Sequence, residues 1–153
     1  MTDIRLPMGD SIFCVRAVIL CLRDGHLLVN AEQGVNFLYL PGGAIKSGEA
    51  TPESAAREWT EETGLPAGPL RLAGVVENFF PHSGRQWHEI GFYYRMAAPP
   101  ELPPTPFTVN DNPNVTCLWL PLAEVRKRRV VPLPVRDLLE GPGGSVRHIV
   151  NRA

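Results

Sequence analysis

The sequence predicts an α/β fold in one domain, on three observations. Runs rich in β-branched and aromatic residues recur along the chain. Among them lies a segment, residues 51–63, that carries the start and stop signals of a helix. At 153 residues the chain has the length of one domain and can bury a core without disulfide staples.

Residues 1–10 read as a loose arm. Residues 12–22 form the first strand, and Asp24-Gly25 marks a hairpin that returns as residues 26–31. Residues 37–40 make a short strand stopped by Pro41. Gly42-Gly43 then gives the backbone freedom to approach a ligand closely. Thr51 is the expected N-cap, with Pro52 at the first helical position and Glu53 favourable in the first turn. Ala55, Ala56, Trp59 and Thr63 are expected to face the core, and Gly64 to end the helix. Residues 72–80 and 86–97 read as strands around a PHSG turn. Residues 98–114 hold six prolines and are expected to form a long loop. Residues 115–120 are a strand that runs into Pro121, followed by short helices over 123–128 and 135–140. Residues 141–144 break the second of these, and the last nine residues supply an edge element or fray.

Composition narrows the function classes. Fifteen basic and sixteen acidic residues give a net charge of −1. Such a balance disfavours a stable nucleic-acid partner. The RKRR run at 126–129 reads first as a solvated helix end. Cys14, Cys21 and Cys117 lack metal-ligand spacing and sit in apolar runs, so core thiols in a reducing compartment are expected. The first ten residues lack a secretory h-region, and the apolar run 17–22 falls far short of the ~20 residues of a membrane span. The expectation is a cytoplasmic protein without a membrane partner, as a monomer or homodimer.

The chemistry concentrates in GAIKSGEATPESAAREWTEETGL, residues 43–65. On a helix, residues three and four apart share a face, so Glu58 sits beside Glu61 and Glu62. Three like charges destabilise a bare helix, and a hard divalent cation relieves that conflict with oxygen ligands. Mg²⁺, or Mn²⁺ in its place, neutralises phosphate oxygens and lowers the pKa of a bound water, whose proton a nearby Glu takes. A carbonyl of the 41–43 turn is one more hard ligand. Arg57 can pair with Glu61 four residues on, or with Glu53 one turn back, and fix a carboxylate rotamer.

The spacing from Gly43 is five residues, Glu49, seven residues, Arg57-Glu58, two residues, Glu61-Glu62, one residue, Gly64 and an apolar residue. This resembles the signature box of the MutT-like Nudix hydrolases at every fixed polar and glycine position. Trp59 is the one mild departure, being larger than the usual aliphatic residue. FLYLPGG before the box, HEI at 88–90 and WLPL at 119–122 extend the resemblance over roughly residues 12–140.

The resemblance implies an α/β/α sandwich with a mixed β-sheet. It implies hydrolysis of a phosphoanhydride in a nucleoside diphosphate linked to a further group. Glu58 and Glu62 match usual metal ligands, Glu61 a ligand or water-orienting base, and Gly43 a carbonyl ligand. Glu49 matches a residue that shapes the loop, and Arg57 one that orients carboxylates. Relatives often recruit another acid outside the box. Glu77 and Glu89 are the candidates here, with Asp111 a distant substitute.

Specificity is expected from outside the box. A nucleobase needs a flat slot, with Phe79, Phe80, Trp87, Tyr93 and Phe107 as candidate walls. Phe79 and Phe80 cannot both face inward on one strand. Arg16 and Arg85 are candidates to touch phosphate. Nucleoside triphosphates, dinucleoside polyphosphates and nucleotide sugars all fit. Pro81, sixteen residues beyond Leu65, resembles a feature of ADP-ribose pyrophosphatases and makes that activity the alternative. An RNA-end pyrophosphohydrolase and a non-catalytic nucleotide sensor rank lower.

Overall fold

The computed structural model of the protein describes residues 1–132, 134–139 and 144–152. Its strands are β1 (Arg5–Met8), β2 (Ser11–Arg23), β3 (His26–Glu32), β4 (Leu38–Tyr39), β5 (Gly42–Ala44), β6 (Arg71–His82), β7 (Arg85–Ala97), β8 (Phe107–Val109), β9 (Asn112–Pro121) and β10 (Arg147–Arg152). The helices are α1 (Thr51–Thr63) and α2 (Val135–Leu139), with a 3₁₀ turn at Leu122–Glu124. The expected end of the second helix at Glu140, and the break at 141–143, lie outside the described residues.

The sheet is mixed, in the order β10-β6-β7-β2-β3-β9-β8. β2 runs parallel to β7, and β10 parallel to β6. The other neighbours on this path are antiparallel. Helices cover both faces, which gives the α/β/α sandwich. Alternate residues of β2 serve the two layers. Ala17, Ile19 and Cys21 pack with Ala55 and Trp59 of α1, while Val18 and Leu20 pack with Val135 and Leu138 of α2. A strand covered on both sides reads as a continuous apolar run, which is what residues 17–22 are.

β2 and β3 part soon after their hairpin. Only Leu22↔Leu27 and Arg23↔His26 pair. Into the gap come β5, on β2 with Ala17↔Gly43, and β4, on β3 with Asn30↔Tyr39. This split carries the glycine turn to the start of α1.

Several expectations are corrected. The arm at 1–10 contains β1, which pairs with β2 through Arg5↔Cys14 to Met8↔Ser11. The loop at 98–114 contains β8 and the first residues of β9, paired through Thr108↔Thr116. The PHSG turn is shorter than expected, because β6 continues through Pro81 and His82, paired with Gln86 and Arg85. Leu122–Glu124 is a single 3₁₀ turn in place of a helix over 123–128. The N-cap of α1 is Ala50, with no side-chain cap bond, and Thr51 is already helical. The Thr51 hydroxyl bonds the Tyr94 hydroxyl instead. Ser54 and Glu62 are buried on α1, where Ala56 and Thr63 were expected. Gly64 ends the helix with φ 75°, donating its N–H to the Thr60 carbonyl at 2.8 Å. All three cysteines are buried and unbridged. No helix among the described residues is long and apolar enough to cross a membrane.

Candidate active site

The turn into α1 is held by side chains from both ends. Glu49 Oε1 accepts the Lys46 N–H at 2.8 Å. Arg57, two turns into the helix, reaches back to Glu49 with Nε to Oε2 at 2.6 Å and Nη2 to Oε1 at 3.0 Å. Its Nη1 donates to Glu58 and to Glu61, both at 3.0 Å. One guanidinium therefore ties three carboxylates together. The bond to Arg57, foremost, lowers the Glu49 carboxyl to about 2. The three carboxylates raise the Arg57 pKa despite its partial burial. Of the two partners expected for Arg57, Glu61 is engaged, and Glu49 takes the place considered for Glu53.

Gly42 and Gly43 are required by close approach. Gly42 has φ 147°, and a Cβ there would overlap the Ala17 carbonyl. A Cβ on Gly43 would fall on the Glu58 carboxyl group. Glu58 thus lies directly over the turn. Burial raises its pKa, and the Arg57 bond opposes this.

Glu62 faces inward and is only 7% exposed. Its Oε1 accepts the Gly42 N–H at 3.3 Å, while Oε2 is buried without a hydrogen-bond partner among the described residues. Burial raises its pKa to about 8; the Gly42 bond works against the rise, and the charges of Glu58 and Asp111 add to it. Glu61, by contrast, is exposed, with 44% of its side chain open. A buried carboxylate with an orphaned oxygen is costly unless a positive charge joins it.

These residues suit a hard divalent cation in donor chemistry. Every side-chain donor is oxygen, Gly43 leaves room for the Glu58 carboxyl, and Glu62 holds an unused acceptor. Among the described residues, no three His, Cys, Asp or Glu side chains are already gathered as an ion cage. The Arg57 bonds to Glu58 and Glu61 hold two of the carboxylates in another arrangement.

The remaining candidates fall into separate groups. Arg16, on β2 opposite Ala44, lies within electrostatic reach of both Glu58 and Glu62. Burial raises the pKa of each, and the Arg16 charge opposes that rise. Among the described residues Arg16 makes no hydrogen bond or ion pair. Glu89 is buried on β7 beside Cys14, whose thiol donates to Oε2 at 3.7 Å. Glu77 stands on β6, between β10 and β7, with its Oε2 against His148 Nε2 of β10 at 2.5 Å. Phe79 stacks on His88 at 4.4 Å with Arg152 over its ring, while Phe80 stacks on Trp87 at 6.1 Å. The two phenylalanines thus take different partners on opposite faces. Arg85 begins β7, six residues before the Gly91↔Arg16 pair, or about 20 Å along the strand. Tyr93 is a core residue at 1% exposure, so it is no wall of a slot.

Sequence reading missed what long-range folding brings to Glu62. The β8–β9 turn reaches α1, with the Asn110 N–H donating to the Glu62 carbonyl at 2.8 Å. Asp111 of that turn acts on the Glu62 charge, and Tyr39 feels Glu62 in turn. Tyr39 donates its hydroxyl to Glu32 at 2.8 Å. The signals in the sequence were the length of the 98–114 segment and Asp111 within it, named above only as a distant substitute acid.

Comparison with known proteins adds to this geometry. The NUDIX domain model matches residues 14–139. A protein of Mycobacterium tuberculosis described as mutator protein MutT4 is 37% identical over 57 residues, which are 37% of this chain and 23% of that protein. The chain thus spans under a quarter of the length of that curated relative. Among solved structures, the MutT NUDIX hydrolase of Burkholderia pseudomallei superposes with a TM-score of 0.65 at 19% identity, over 85% of this chain and 98% of that one. The mutator MutT protein of Bacillus halodurans gives 0.64 at 18% identity, over 83% and 80%. An ADP-ribose pyrophosphatase of Streptococcus suis gives 0.59 at 13%, over 88% and 98%. At such identities the likeness concerns the fold.

Proposed function

The chain belongs to the NUDIX domain family, hydrolases of phosphoanhydride-containing substrates, and on that premise we propose that it cleaves nucleoside diphosphates linked to a further group. The candidate substrates are nucleoside triphosphates, dinucleoside polyphosphates and nucleotide sugars. The observation that carries the reading is Glu62, buried with an unpartnered Oε2 beside the Glu58 carboxyl that covers Gly43.

Glu58, Glu62 and the Gly43 carbonyl are the groups that would hold Mg²⁺ or Mn²⁺. Once bound, the ion neutralises phosphate oxygens and acidifies water. The chain supplies the rest. Arg57 fixes the rotamers of Glu58 and Glu61 through its two Nη1 bonds. Glu61, the exposed carboxylate, is the group we assign to orient the attacking water or accept its proton. Arg16, which makes no hydrogen bond or ion pair among the described residues, is the group we assign to a substrate phosphate oxygen. Glu89, buried on β7, accepts the Cys14 thiol at Oε2 and is the acid outside the box proposed as a second base.

A screen of nucleoside triphosphates, dinucleoside polyphosphates, nucleotide sugars and ADP-ribose, with added Mg²⁺ or Mn²⁺ and product analysis, tests the proposal. Cleavage of an anhydride bond in one of these classes, abolished by chelation and by Glu58→Gln, is expected. Turnover that survives both treatments overturns it.

A further inference from the structure

The RKRR run is exposed at all four positions, but it ends no helix. The chain leaves the 3₁₀ turn and returns beside β4. The Leu38 N–H donates to the Arg129 carbonyl at 2.8 Å, and the Val131 N–H to the Leu38 carbonyl at 2.9 Å. These bonds pin Arg128 and Arg129 against Val35, Asn36 and Phe37, and a cleft of about 280 Å³ lies between the two segments. The Arg129 guanidinium sits over the Phe37 ring at 5.6 Å, a contact that limits its rotamers before any ligand arrives. Lys127 of the same run pairs with Glu124. Neither the Arg128 nor the Arg129 guanidinium has an ion pair or hydrogen bond among the described residues. Two unneutralised arginines beside an aromatic ring, in a chain of net charge −1, make a local site for an anion.

The cleft also has a fixed relation to the box. Phe37 lies five residues before Gly42, on the segment that forms β4 and leads into the glycine turn. Extended chain of that length covers about 16 Å. Phe37 and Tyr39 are ring neighbours at 6.4 Å, and Tyr39 feels the charge of Glu62. A nucleotide held at the box by its diphosphate can therefore extend along β4 toward the arginines.

We propose that the cleft between Asn36–Phe37 and Arg128–Arg129 binds an additional phosphate of the substrate, remote from the anhydride that is cleaved. The inference rests on the chain being a nucleotide hydrolase, and it narrows the substrate to nucleotides with phosphate beyond the reacting diphosphate. That phosphate has two sources, a phosphate on the ribose of a single nucleotide or the far phosphate of the bridge in a dinucleoside polyphosphate.

Equilibrium binding with Ca²⁺ added, so that a phosphate can be held at the carboxylates of the box, separates this inference from the hydrolase reading. The probes are AMP, adenosine 3′,5′-bisphosphate and a dinucleoside tetraphosphate, titrated into the intact protein by calorimetry and by NMR of the Phe37 ring. At least one doubly anchored probe should bind about tenfold more tightly than AMP, shift the Phe37 signals, and weaken as salt is raised. In Arg128→Ser/Arg129→Ser that advantage should vanish while AMP binds as before. Phe37→Leu should lose part of it, because Arg129 is no longer held. The probe that keeps the advantage identifies the source. Equal binding of all three probes to the wild type overturns the proposal, as does an advantage that survives the double substitution with melting temperature unchanged. Absence of turnover on every nucleotide would sink the hydrolase reading and leave this binding result standing.

Discussion

Arg57 and Glu49 form a two-bond fork across the turn that precedes α1, with contacts of 2.6 and 3.0 Å. The same guanidinium bonds Glu58 and Glu61, so a loop-shaping pair and two candidate ligand carboxylates share one cation.

Glu49→Gln should cost about 1–3 kcal/mol of stability and lower kcat about tenfold, since Arg57 is freed to turn away from Glu58 and Glu61. The pH dependence has a defined sign. The folded carboxyl sits at about 2 against an ordinary 4.5, so the fork's contribution is complete above the ordinary value. It is lost progressively as pH falls from 4.5 to about 2. Melting temperatures of wild type and variant should differ by a constant amount at neutral pH and converge in acid. A difference that stays constant into acid contradicts the assignment.

Glu62→Gln should keep the fold. The variant replaces a buried carboxyl whose Oε2 has no partner, so its melting temperature without metal should equal or exceed that of the wild type. Turnover should fall on the order of 100-fold. Saturating Mg²⁺ should raise the wild-type melting temperature, by about 2.7 kcal/mol of stabilisation at a hundredfold excess over Kd. The variant should lose most of that shift. Near-wild-type turnover with an intact Mg²⁺ response would remove Glu62 from the ligand set.

Gly43→Ala places a methyl group where the Glu58 carboxyl lies. Displacing that side chain and its bond to Arg57 should cost about 1–3 kcal/mol and depress kcat more than KM. Chemical denaturation and steady-state kinetics together check it. An unchanged kcat would mean that Glu58 works from another rotamer.

Trp59 is fully buried, and its Nε1 has no hydrogen-bond partner among the described residues. Trp59→Phe removes the orphaned donor and should be close to neutral. Trp59→Ala should cost about 3–5 kcal/mol through the cavity it leaves. Comparable losses in the two variants, measured by urea denaturation, would show that the ring's full shape matters more than the unpaired N–H.

The helix and its glutamates were legible because their geometry is local. Spacings of three and four residues put Glu58, Glu61 and Glu62 side by side whatever the rest of the chain does, and Gly64 marks its own position. β1 was hidden because Arg5–Met8 is exposed at every position and contains Pro7, so no burial alternation betrays it. β8 was masked by surrounding prolines, though Phe107 and Thr108 pair cleanly with β9. The cap was misplaced by one residue because Thr51 found Tyr94, distant in sequence, as a hydroxyl partner. The same limit applies at the site. Arg16, Tyr39 and Asp111 reach Glu62 only through sheet pairing and the β8–β9 turn, and no spacing encodes that.

The double role of β2 bears on how the molecule comes apart. Ile19 and Leu20 are adjacent in sequence yet belong to opposite layers, and both are fully buried. Melting either layer would expose one side of this shared spine and strip the other of its support. The two halves of the sandwich should therefore open cooperatively, with amide protons beneath α1 and beneath α2 exchanging at matched rates.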